Sequence, residues 1–174
     1  MAAVPEGIRL NRHRDLQGRG WHPWAARLLL GLIGAVLILA LFNAFGQRPS
    51  TSRAANARAI LSVYAPSRVR GGLLYTARFH VTAKAELKKA SLILDPGWIE
   101  GMQVNSINPQ PISEGSDNGR IVLQLGHIAA GHSVISFIEF QVNPTNVGHR
   151  SQNVELADQG SPLLTIHRTI TIFP

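Results

Sequence analysis

Residues 28–42 read LLLGLIGAVLILALF, fifteen positions without a charge or a strongly polar side chain. No other feature restricts the chain so sharply. Extended to Trp24 and Phe45 the run has 22 residues, interrupted near its ends by Arg27 and Asn43. At about 1.5 Å per residue that is roughly 33 Å, the thickness of a bilayer's hydrocarbon core. A backbone in lipid must satisfy its own hydrogen bonds, which predicts a transmembrane α-helix over residues 23–46. Pro23 falls in the first turn, where its missing N–H removes no intrahelical bond. Trp21 and Trp24 flank the start as membrane-interface anchors, and Arg27 can extend toward the headgroups. A buried helix of a soluble protein would need a helical shell that the remaining sequence does not offer. A cleaved signal peptide would need a shorter charged region, and only Ala44-Phe45-Gly46 resembles its cleavage site. The expectation is a retained signal-anchor. Gly31 and Ala35 form a small-xxx-small pair on one helix face, the candidate surface for packing on another helix.

The formal charge of +7 matters for where it lies. Residues 1–58 hold eight arginines against Glu6 and Asp15, whereas residues 59–174 hold nine Lys/Arg against eight Asp/Glu. The excess flanks the apolar run, where arginine meets anionic lipid and sets orientation. The remainder is nearly neutral and lacks the basic face of a nucleic-acid binder. Five arginines before the run against three after it favour a cytoplasmic N-terminus and an extracytoplasmic C-terminal domain. Residues 1–22, rich in Arg and Gly without an apolar period, read as a disordered basic tail. Residues 47–59 read as a juxtamembrane linker.

From residue 60 the pattern changes to short alternating runs separated by Gly, Pro and Asn. Strands are expected over residues 60–64, 73–82, 87–94, 102–107, 120–125, 133–142, 152–156 and 163–173. Eight strands without a helical stretch predict one antiparallel β-sandwich over residues 60–174. In 133–142, Val134, Ser136, Ile138, Phe140 and Val142 share a face, with Glu139 and Gln141 opposite. In 163–173, Leu164, Ile166, Ile170 and Ile172 share a face that Arg168 interrupts, which implies a bulge, an edge, or an ion pair with Glu139 or Glu155.

Three stretches carry a resemblance: Leu74-Tyr75-Thr76-Ala77-Arg78-Phe79 after Gly71-Gly72, the turn Leu94-Asp95-Pro96-Gly97, and the stretch from Leu125-Gly126-His127 to Gly131-His132-Ser133 before a long strand. Their order resembles the Ig-like modules of bacterial surface proteins of the "conserved repeat" and CARDB-like types. The resemblance implies an Ig-like sandwich in a surface protein, here as one copy rather than a tandem stalk.

Chemistry is sparse. The chain has no cysteine, which excludes thiol nucleophiles, disulfides and Cys-based zinc sites together. His127 and His132 are five apart across a glycine turn, without the spacing of a helical metal motif. His149 with Glu155 or Asp158 lacks a defined ligand pattern. Glu114 and Asp117 lie in a Ser-Glu-Gly-Ser-Asp-Asn-Gly loop that falls short of a calcium loop's ligand count. No phosphate-binding or nucleophile-elbow motif is present. Lys84, Lys88 and Lys89 form a small basic cluster, read as a solvated strand edge. The sequence therefore predicts no catalytic, metal or cofactor site and no small-molecule substrate. It predicts a non-catalytic accessory subunit or interaction module, touching membrane lipid and a membrane-protein partner or a second copy of itself. An envelope or adhesion protein binding wall material is the alternative. Trp98, Ile99 and Met102 are the candidate partner-binding residues, because aromatics and Met are enriched at interfaces. Hydrophobic core is the competing reading for all three.

Overall fold

The computed structural model describes residues 21–44 and 46–174. The expected basic tail lies outside them up to position 20, as does Phe45. The chain divides into two compact units at Ala44/Phe45.

The first unit contains helix α1, His22–Leu41, with Pro23 in its first turn. From Pro23 onward its side chains are apolar apart from Arg27 and nearly all exposed, and the stretch Pro23–Leu41 is long and apolar enough to cross a bilayer. The helix stops short of residue 46 because Asn43 adopts a left-handed φ of 55°. The Phe42 and Ala44 amides still bond back to Ile38 and Leu39.

The second unit is a β-sandwich of mostly antiparallel strands. One five-stranded sheet joins β1 (Pro49–Ala55), β2 (Ala59–Pro66), β4 (Leu74–Ala83), β9 (Ser133–Val142) and β6 (Met102–Asn108) in the order β1-β2-β4-β9-β6. The other joins β12 (Ser161–Ile166), β11 (Val154–Asp158), β5 (Leu87–Leu94), β8 (Arg120–Ile128) and β7 (Ser113–Asp117). A three-stranded sheet adds β10 (Gly148–Ser151), β13 (Thr169–Phe173) and β3 (Arg68–Arg70), the last two parallel. Strand alternation builds the core. Leu61 and Val63 of β2, Tyr75, Ala77, Phe79 and Val81 of β4, and Ile138, Phe140 and Val142 of β9 are buried on one face. Leu87, Leu92, Leu94, Leu123 and Leu156 oppose them. Fully burying side chains of this size contributes about 1.5–3 kcal/mol each.

The segment 47–59, expected as a linker, contains β1, which pairs residue for residue with β2 from Pro49↔Pro66 to Ala55↔Ile60. Its alternation is written in Ser50, Ser52 and Ala54 rather than in large apolar residues, so it reads as a stalk. The expected strand 163–173 is two strands in different sheets. The chain changes sheets at Arg168, which is buried and bonds to no carboxylate. Among the described residues its guanidinium donates to the Ala65 carbonyl at 2.8 Å, to Ser52 Oγ at 3.0 Å, and to Ser50 and Val63. The two carboxylates expected to pair with it are engaged elsewhere: Glu155 in an ion pair with Arg120 at 3.3 Å and Glu139 in a hydrogen bond from Ser106 Oγ. Arg168 thus ties β1 and β2 to the start of β13 through neutral oxygens. Burial lowers its pKa, against the effect of nearby Tyr75.

The Asp95-Pro96-Gly97 turn is confirmed as a tight feature. It forms one 3-10 turn, Pro96–Trp98, and a Cβ on Gly97 would collide with the Ser151 carbonyl oxygen. The lysine pair is not at an edge. Lys88 and Lys89 occupy a bulge in β5, an interior strand.

Candidate functional site

Among the sequence-derived partner-binding residues, Trp98 and Met102 are core. Trp98 is fully buried, 5.2 Å from Phe79 and 5.3 Å from Phe140 between ring centroids. Its indole N–H donates to the Asn153 carbonyl at 3.2 Å. Met102 Sδ accepts from the Tyr75 hydroxyl, which in turn accepts from Gln152 Nε2. Burial pushes the Tyr75 phenol far above its ordinary range, opposed by that Gln152 bond and the Arg168 charge. Only Ile99 is partly exposed. The turn packs Trp98 inward, where its Gly97 lets the backbone close on Ser151, and leaves Ile99 at the surface, while Met102 turns inward at the start of β6.

On α1, Arg27 lies over the Trp24 ring at 5.3 Å, the arrangement of a cation held at an interfacial aromatic. Gly31 and Ala35 are exposed, and a Cβ on Gly31 would meet nothing within 4 Å.

The titratable candidates pair off separately. Among the described residues no three His, Asp or Glu side chains converge as a metal-binding group. His127 Nε2 and Glu86 Oε1 are 2.9 Å apart, His149 meets Thr171 Oγ1, and Asp117 meets Arg120 at 3.0 Å. The Glu114–Asp117 stretch is not a loop but strand β7, closed on β8 by Asn118-Gly119, both with positive φ. Asp158 is buried at 5 % exposure, takes Arg58 at 2.7 Å and accepts from the Lys89 amide at 2.9 Å. Burial works to raise its pKa, but those bonds and the Arg58 charge outweigh it and hold the carboxyl below its ordinary value.

What does assemble is the outer face of the β1-β2-β4-β9-β6 sheet. Register places Thr51, Tyr64, Arg78, Phe137 and Asn108 in one row across all five strands. Directly opposed residues project to the same face, about 4.5–5.5 Å apart. The next row is Arg53, Ser62, His80 and Ile135. The Arg78 guanidinium covers the Tyr64 ring at 5.2 Å. Tyr64 is 39 % exposed and Ile135 and Phe137 41 % each, so two apolar side chains and a tyrosine stand open to solvent there, with Leu74 exposed further along β4 on the same face. Thr76, Glu139 with Ser106, and Thr82 with Ser133 border them. The sequence carried a signal for this face. Ile135 and Phe137 fall on the same side of β9 as Glu139 and Gln141, where alternation calls for polar residues.

No family model matches the chain, and no curated protein matches it. Among solved structures, AvmM, which catalyses macrocyclization in alchivemycin A biosynthesis, is similar at a TM-score of 0.48 and 8 % identity, over 73 % of this chain and 97 % of that one. A non-cellulosomal cohesin from the hyperthermophilic archaeon Archaeoglobus fulgidus is similar at 0.40 and 15 % identity, over 60 % and 84 %. The chitin-binding domain of a chitinase from Pyrococcus furiosus is similar at 0.37 and 7 % identity, over 68 % and 98 %. At these values the likenesses carry no statement about family or activity. The resemblance to CARDB-like modules has no matching family model.

Proposed function

We propose that this chain is a non-catalytic, membrane-anchored accessory subunit that presents its β-sandwich to a partner membrane protein. Helix α1 is the anchor, the N-terminus is cytoplasmic and the sandwich is extracytoplasmic, in line with the arginine asymmetry. The observation that carries the reading is the exposed row Tyr64–Arg78–Phe137 with Ile135 beside it. Tyr and Arg are the residues that most often dominate binding energy, and an apolar centre with a polar border is the anatomy of a protein interface. Because Arg78 already covers one face of Tyr64, the row suits the side chains of another protein better than the flat face of a sugar ring.

A photo-crosslinking residue in place of Phe137, in the full-length protein in its native membrane, tests this. A single multi-spanning adduct is expected from position 137, and none from Glu114 on the far sheet. Equal labelling from both positions would contradict the assignment of this face.

A further inference from the structure

We propose that the corner of the sandwich carrying Arg48, Arg68 and Arg70 docks on the anionic phosphate headgroups of the bilayer that α1 enters. The proposal rests on the anchored reading above and concerns a different surface from the partner face.

The three arginines are brought together by the backbone. Arg68 O accepts from the Arg48 amide at 3.3 Å, and Arg48 O accepts from the Ser67 amide at 2.9 Å. Arg68 and Arg70 flank buried Val69 on β3, so both project outward. Neither Arg48 nor Arg68 takes part in an ion pair among the described residues. Arg70 Nε donates to the main-chain oxygen of Pro174, the last residue of the sequence, at 3.3 Å. Residues 66–74 and 143–147, which form this corner with residues 46–48, contain no Asp or Glu. Glu100, at the same end of the sheet, lies 4.0 Å from Arg150. Exposed Leu73, Leu74 and Val147 accompany the arginines, at 40, 49 and 46 %.

Covalent reach supplies the occupant. Seven residues lie between Leu41 and Pro49. Fully extended they span about 25 Å, and the helix-terminal bonds of Phe42 to Ala44 shorten this. Arg48 therefore cannot leave the neighbourhood of the bilayer surface. Guanidinium groups fit phosphate oxygens bidentately, and each basic residue at an anionic surface shifts the docked-to-free ratio about fivefold. The other basic cluster, Lys84 with Lys88 and Lys89, lies at the opposite end of these strands, beside Ala59 and Ile128.

The absence of cysteine allows single-site labelling. Full-length protein carrying Leu73→Cys or Lys88→Cys with a fluorophore is placed in nanodiscs of phosphatidylcholine, alone or with phosphatidylglycerol, containing headgroup spin-labelled lipid. The expected result is quenching at position 73 that rises severalfold with phosphatidylglycerol. It should fall about fivefold per change in Arg48→Gln, Arg68→Gln and Arg70→Gln, with position 88 unaffected. Quenching at 73 that is equal in both lipids, or indifferent to the three changes, overturns the proposal. Protein that alkaline carbonate strips from the discs instead overturns the anchored reading beneath it.

Discussion

Asp158 and Arg168 are two buried charges handled in opposite ways. Asp158 has a cation and backbone donors, which hold its pKa down. A carboxylate with a depressed folded pKa contributes stability above its unfolded value of about 3.9, and that contribution is lost as pH falls through the folded value. The sandwich should therefore lose thermal stability on acidification below about pH 4. Asp158→Asn should be less stable at pH 7 and show a flatter acid limb, as read by melting of the near-ultraviolet circular dichroism. An unchanged acid limb would remove Asp158 from the account. Among the described residues Arg168 pairs with no carboxylate and donates to the oxygens of Ser50, Ser52, Val63 and Ala65. Arg168→Ala strands several buried acceptors at once and should cost about 3 kcal/mol or more in urea unfolding. A cost below about 1 kcal/mol would mean that water replaces the guanidinium without loss. At Gly97 an added methyl meets the Ser151 carbonyl, so Gly97→Ala should destabilise by about 1–3 kcal/mol.

The elements differ in how openly the sequence announces them. Helix α1 and the strands β2, β4, β5 and β9 were legible because their pattern is carried by large apolar residues at the proper period. β1, β7 and β10 were not. The less exposed positions hold Ser and Ala in β1 and Gly and Arg in β10, and in β7 every residue is exposed and pairing alone makes the strand. Asn118-Gly119 is the type of dipeptide that closes a two-residue hairpin, and it marked β7 without an apolar run to reinforce it. The break at Arg168 was visible as an interruption, but its partners are neutral oxygens on strands more than a hundred residues earlier, which no local pattern encodes. For α1 the expectation concerns transfer energy. An Arg near the centre of a spanning helix costs about 2.5–3.5 kcal/mol. The pair Leu32→Arg and Val36→Arg should move the protein from the carbonate-resistant membrane fraction to the soluble one. Retention of the double variant in the membrane would show that α1 is not what holds it there.

At the scale of the whole molecule, a nearly neutral sandwich follows an apolar helix after a few residues, and its two distinctive surfaces differ in chemistry. The open row on β2, β4 and β9 offers side chains suited to a protein, and the arginine corner offers charge suited to lipid. Trp98, Ile99 and Met102 are ambiguous in the sequence because an apolar residue after a turn can serve core or interface equally, and burial decides between them. Trp98 went to the core, while Tyr64 and Phe137, which drew no notice as a binding pair, stand on the surface. The central claim is that the outer face of this sheet holds a partner in the membrane. The most direct test is purification of the full-length protein in mild detergent beside a Phe137→Asp variant of unchanged melting temperature, with mass spectrometry of what accompanies each. A stoichiometric multi-spanning partner is expected with the parent chain and is lost from the variant; recovery of the same partner with both, or of the parent chain alone, would contradict this role for the face.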